Sequence, residues 1–296
     1  MAKQKKPGPV LRIPRVHGIG ISSDERIVVP AAKPYLRTIA DSHPIPIELP
    51  KYPSRFAFTP DGATLIVVST QGELAAFDAH IGGAPRWTDH IGAETSGGDF
   101  GLDGSVFYLG STAGVLVAWD VGSGERLHSL ALPRLFDRVF VGAEGRLSVR
   151  HQSATSPPDQ ATWLLLEPDL TVTNSRTLPG PNLASEVLPA GDGAVVRLHD
   201  EVVGVDAQGI ERWRKRIPEV GMRGLVRIDI GRVLAASAND WHVLEPRTGA
   251  VLHHITPPKC WVSTISGDAK WIGILDDRGG EQVWLLDSLL DAWATP

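Results

Sequence analysis

Residues 58–82 and residues 100–124 are two copies of one segment, offset by 42 without a gap. Ten of the 25 aligned positions are identical, among them Phe58/Phe100, Asp61/Asp103, Gly62/Gly104, Ser69/Ser111, Gly72/Gly114 and Asp78/Asp120. Each copy reads as a short apolar strand ending in Phe, an Asp-Gly turn, a second apolar strand, a polar-Gly turn and a third strand ending in Asp. Asp-Gly and polar-Gly pairs between apolar runs are hairpin signals, because Gly and Asp tolerate the positive φ of tight turns. A period near 40 residues built from such hairpins is that of a β-propeller blade.

Weaker copies extend in both directions. The acid that closes the third strand recurs at Asp41, Asp78, Asp120, Glu167, Asp206, Glu245 and Asp287. The acid of the first hairpin recurs at Asp24, Asp61, Asp103, Glu144, Asp192 and Asp268, with Gly231 in its place in the sixth repeat. Seven anchors predict an all-β fold, a seven-bladed β-propeller with four antiparallel strands per blade. It would occupy residues 10–296 as a single domain after a disordered basic tail at 1–9. No stretch of ten or more residues between anchors has helical periodicity. The chain ends soon after the third strand of the last repeat, while a spare strand, Val10–Val16, precedes the first. Pairing that strand onto the last blade would tie the two ends together and cover an open edge. The rival arrangement completes the last blade with Leu289–Trp293.

The segment Val117-Ala118-Trp119-Asp120 places a Trp-Asp pair at the end of a third strand. His90, Ser111 and Trp119 stand at the spacing of three members of the hydrogen-bonded tetrad of WD repeats; the turn Thr112-Ala113-Gly114 has no Asp for the fourth. Two other segments, Ala76-Phe77-Asp78 through Gly82 to Trp87 and Val205-Asp206 through Gly209 to Trp213, follow a different pattern. The chain thus resembles the WD-repeat and the quinoprotein-like propeller families, as a divergent member. The second resemblance implies that Asp, Gly and Trp lock adjacent blades. Quinone-dependent enzymes of that kind usually have eight blades and an export signal, so the resemblance does not extend to a quinone site.

Net charge is −5, with 42% hydrophobic and 21% charged residues among 296. That is the make-up of an ordinary globular chain. It lacks the basic excess that displaces counterions from nucleic acid, so no nucleic-acid partner is expected. The one basic cluster is Lys3, Lys5, Lys6, Arg12 and Arg15. A single cysteine, Cys260, excludes an intramolecular disulfide. No apolar run follows the N-terminal charges as a secretory signal would require, and none reaches membrane-spanning length. The expected location is the cytoplasm, and the abundance of Arg over Lys fits a bacterial source.

The recurring acids are spread one per blade and cannot converge on one substrate. They are expected to accept backbone N–H groups in turns. Most of the nine tryptophans are expected to pack between blades; Trp241 and Trp261, near predicted loops, could instead stack on a ligand. His253 and His254 are adjacent and face opposite sides of a strand, and no histidine pair has metal-ligand spacing. There is no nucleophile elbow and no phosphate-binding loop. Cys260 has Lys259 beside it, which could activate a thiol, but an inert packing role fits its place at a strand start. Catalytic, cofactor-binding and metal residues are therefore expected to be absent.

What does not repeat stands out. His151 to Gln160 lengthens the hairpin between the second and third strands of the fourth repeat. Insertions of this kind map to one face of a propeller, often the binding face. The connector Thr88–Ser96 is expected on the same face. Asp89, His90, Glu94, His151 and Asp159 are the candidate contacts for a partner. The expected function is a non-enzymatic scaffold, a monomer holding another protein or peptide within a complex. The alternatives are a metal-assisted hydrolase or lyase acting on a sugar or lactone, using Asp99, Glu186 and Asp229 on inner strands, or a small-molecule sensor using the channel.

Overall fold

The structure is a computed structural model and describes residues 8–293 apart from 14–17, 42, 133–138, 143, 152–160, 179–185, 191, 199, 218–219 and 258. Seven four-stranded antiparallel sheets follow one another around a ring. In chain order the inner strands are Gly20–Ile21, Pro53–Phe58, Thr95–Phe100, Phe140–Val141, Glu186–Ala190, Val220–Asp229 and Cys260–Ile265, and these define blades 1 to 7. In blade 2 the further strands are Thr64–Ser69, Glu73–Asp78 and Trp87–His90; in blade 3 they are Val106–Ser111, Val115–Asp120 and Arg126–Ala131.

Leu11–Ile13 is the outer strand of blade 7, with Leu11 opposite Val283 and Ile13 opposite Glu281. The expected closure by the N-terminal strand is thus present over Leu11–Ile13, and positions 14–16 of the expected strand lie outside the described residues. The rival role for Leu289–Trp293 is not: Leu286–Trp293 is a helix. Its Leu286, Leu289 and Leu290 recur at helical spacing and are buried with Trp241 and Trp284 between blades 6 and 7. The helix is shorter than a ten-residue search for periodicity can register. Of the tail at 1–9, residues 1–7 lie outside the described residues.

The core is divided into wedges between neighbouring blades. Ile66, Val68 and Leu74 of blade 2 meet Phe107, Leu109 and Trp119 of blade 3, and similar clusters fill the other seams. Period-2 alternation produces this, since each blade presents one row of side chains to the blade before it and one to the blade after.

The repeated residues are turn chemistry, as expected. Asp61 Oδ1 accepts from Ala63 N–H and Thr59 Oγ1, and Asp103 Oδ1 accepts from Ser105 N–H. Those bonds, from Thr59 for Asp61 and from the Ser105 backbone for Asp103, hold both carboxyls below their ordinary range. Asp78, Asp120, Asp206 and Glu245 each accept N–H groups from the following turn. Gly72 and Gly114 close the next hairpin at φ +88° and +85°, where a β-carbon is strained. The seventh acid, Asp287, stands instead in the first turn of the helix.

Candidate functional site

Two faces of the ring differ in what crosses them. Chain passing from an outer strand to the next inner strand runs beside the hairpins that join second to third strands. Ile91 N–H donates to Gly72 O, and Thr112 N–H donates to Glu94 O. The connector and the blade 4 insertion position therefore share one face, here called the connector face. The true connector is 91–94. Thr88, Asp89 and His90 belong to the outer strand of blade 2, and Thr95 begins the inner strand of blade 3. The crossing is shorter than the Thr88–Ser96 segment read from the sequence because both strands run to the edge of the ring.

The candidate contacts fall into three situations. His90 and Glu94 are exposed on the connector face. His151 is the last residue of its strand, opposite Thr162; Asp159 lies outside the described residues. Asp89 is engaged in the seam. Its Oδ2 accepts from Trp119 Nε1 at 2.7 Å and Arg126 Nε at 2.6 Å, and its Oδ1 accepts from Arg126 Nη2 at 2.8 Å. The Arg126 guanidinium holds the Asp89 carboxyl down to about 2 against the opposing effect of burial.

This seam also revises the tetrad spacing. His90 Nδ1 accepts from Gly92 N–H and Ser111 Oγ accepts from Val115 N–H, so neither reaches Trp119. Strand alternation is the reason. Trp87 and Asp89 are the half-buried residues of their strand, and His90 is turned outward. Tryptophan locks of the second pattern are present. Trp87 Nε1 donates to Val121 O of blade 3, and its ring lies so close to Gly124 that a β-carbon there would come within 2.7 Å. Trp213 Nε1 donates to Pro246 O of blade 6 in the same way, over Gly249.

The channel opens on the connector face between blades 7, 1 and 2. A cavity of about 330 Å³ there is lined by Gly18, Pro53, Ser54, Trp261, Ser263 and Glu281. A second, of about 160 Å³, continues inward past Asp99, Phe100 and Leu225. Glu281 is fully buried; its two oxygens accept from Gly18 N–H at 2.9 Å and Ser263 Oγ at 2.7 Å. Those donors offset the cost of burying a carboxylate and fasten the start of blade 1 to blade 7. Trp261 is 37% exposed at the mouth, with Lys259 Nζ 5.9 Å from its ring centroid, and Tyr52, next to Pro53, is 65% exposed. Trp241, the other tryptophan considered for stacking, is fully buried and donates to Ser237 O.

Two of the inner-strand acids are engaged separately. Asp99 Oδ2 accepts from Val141 N–H, and Asp229 is paired with Arg232 at the opposite end of its strand. Glu186 begins its strand at the connector-face end. Cys260 is buried, and burial, with a contribution from Asp276, pushes its thiol up to about 12. That makes it a packing residue. Among the described residues one group of side chains has the chemistry of metal ligands and lies away from the channel: Asp240, His242 and His254 of blade 6 hold their donor atoms within 4.8 Å of one another.

Against known structures the ring is familiar. The C-terminal WD40 domain of Sif2 aligns with a TM-score of 0.70 over 96% of this chain and 85% of that one, at 13% identity. Hydrazine synthase of Kuenenia stuttgartiensis aligns at 0.69 over 96% and 98%, again at 13% identity. The fold is that of the WD40 and quinoprotein-like β-propellers. BamB from Moraxella catarrhalis belongs to the same comparison, with a TM-score of 0.64 over 91% of this propeller and 85% of BamB at 15% identity. No protein-family model and no curated protein matches the sequence of this propeller. Among its described residues no helix is long and apolar enough to cross a membrane.

Proposed function

We propose that this propeller is a cytoplasmic, non-enzymatic scaffold that holds another protein or peptide on its connector face. The observation that carries this is the exposed Trp261 at a channel mouth framed by inner strands, with the exposed Tyr52 one residue from Pro53 of its lining. Aromatic side chains held on a stiff frame bind partners at small entropic cost and are enriched at interaction hot spots. His90 and Glu94 extend the surface, and His151 and Asp159 of the fourth repeat are further contacts in this proposal. Asp89 contributes by fixing the strand that presents His90. The protein acts as a monomer within its complex.

Affinity purification from the source organism, run in parallel with a Tyr52→Ser/Trp261→Ser variant, tests this. A stoichiometric protein partner retained by the parent chain and lost by the variant is the expected result. Absence of any reproducible partner, or one held equally by both chains, would overturn the assignment.

A further inference from the structure

We propose that Asp240, His242 and His254 form a site for one divalent transition-metal ion of the zinc, cobalt or nickel class on the connector-face rim of blade 6. The backbone sets the three side chains together. Asp240 closes the tight hairpin after Arg232–Ser237, where its N–H donates to Ser237 Oγ and its carbonyl accepts from Ser237 N–H. His242 lies two residues on, in Trp241–Leu244, on the same side as Asp240. His254 is its direct ladder partner in Val251–Ile255. One hairpin and two adjacent strands therefore deliver three ligands to one spot.

The distances suit an ion. His242 Nε2 lies 3.1 Å from Asp240 Oδ2 and His254 Nε2 lies 2.6 Å from Asp240 Oδ1. Metal bonds of roughly 2.0–2.2 Å in a tetrahedron put donors about 3.3 Å apart. The two present bonds end on different oxygens of Asp240, but one donor atom from each residue already lies within 4.8 Å of the others, so closing on one ion takes a short shift of the carboxyl and of the outer ring. His254 can make that movement: it is on the outermost strand of the blade and its side chain is 45% exposed, against 13% for His242. The two rings stack with centroids 4.7 Å apart, so a small rotation of the outer ring brings both Nε2 atoms onto one centre. Two neutral imidazoles and one carboxylate carry a single negative charge. Imidazole favours borderline ions over magnesium or calcium, which take oxygen donors. Three protein ligands leave the fourth position to water on the exposed side.

The proton account sets the strength. Without metal, each ring donates an Nε2 proton to Asp240. On binding, each proton moves to Nδ1 and none is lost. His242 Nδ1 is buried and has no hydrogen-bond partner. An outer partner on a ligating histidine is worth roughly 10–100-fold in affinity, so its absence here makes the site weaker than a dedicated structural centre by about that factor.

Calorimetric titration of the metal-free full chain with zinc sulfate, supported by the visible spectrum with cobalt(II), tests the proposal. One ion per chain is expected, with tetrahedral cobalt bands and a raised melting temperature. H254Q and D240N, both at partly exposed positions, should each weaken binding by more than the roughly 10–100-fold typical of an outer-shell partner. H253Q, on the opposite side of the same strand, should leave it unchanged. Absence of stoichiometric binding, or binding that H254Q and D240N leave intact, would overturn the site.

Discussion

The seam between blades 2 and 3 and the rim of blade 6 are built around the same group, a half-buried aspartate on the outer part of a blade. Asp89 meets a guanidinium and an indole N–H. Asp240 meets two imidazoles. In both cases the carboxyl sits below its ordinary value. For Asp89 the Arg126 bond leads; for Asp240 burial works to raise it and is outweighed by the bonds from His254 and His242. The difference lies in the donors. Guanidinium and indole cannot give up their protons near neutral pH, so Asp89 is locked for good. An imidazole can carry its proton on the other ring nitrogen and turn a lone pair to the same spot, so the Asp240 cluster can take up an ion. One carboxylate geometry thus serves as a rivet in one blade and as a binding site in another.

The largest effect should come from emptying the locked seam. Trp119 is fully buried against Ile66 and Val68, and Trp119→Ala should cost about 3–5 kcal/mol in urea denaturation. The same substitution would also remove the indole donor to the Asp89 carboxylate, leaving it to Arg126. A cost near zero would show that the seam is not a unit of stability.

Asp89→Asn should cost about 2 kcal/mol, the scale of hydrogen bonds to a charged group. Its pH signature has a definite sign. A carboxyl whose folded value is depressed contributes fully above its unfolded value near 3.9 and loses that contribution as pH falls through about 2. The parent chain should therefore lose stability between those values faster than Asp89→Asn does, measured by denaturation across that range. Parallel curves would remove the contrast with blade 6.

Asp240→Asn should change metal-free stability by less than about 1 kcal/mol, because the pair is partly solvent-exposed. Its effect should appear only on adding zinc, as a lost rise in melting temperature. Smallest of all, Tyr52→Ser should leave unfolding stability within about 0.5 kcal/mol of the parent, since its side chain is 65% exposed and surface substitutions contribute little. A large loss would mean that Tyr52 belongs to the core and not to an interaction surface.

The ring was legible because its signals are local. Asp61-Gly62 and Asp103-Gly104 specify hairpins within a few residues, and their spacing counts blades. Ring closure was legible too, since an unpaired strand at one end and a missing strand at the other leave one economical solution. The terminal helix was not, because eight residues hold too few turns to stand out from an apolar strand. Nor was the true tetrad partner. Which of Asp89 and His90 faces Trp119 depends on strand parity, and one position of slip exchanges them.

The Asp240, His242 and His254 cluster shows the same division. The i, i+2 pair Asp240 and His242 is visible in the sequence once the strand is placed. His254 joins it only through the ladder register of two strands separated by a turn, and inspection of the neighbouring His253-His254 pair pointed away from it. By itself the sequence determined the repeat, the number of blades and the turn role of recurring acids such as Asp61, Asp78, Asp103 and Asp120, because backbone turn chemistry is settled between near neighbours. Only the tertiary structure decided which side chains meet across seams and ladders, because that depends on register and on which face each strand turns to the next blade.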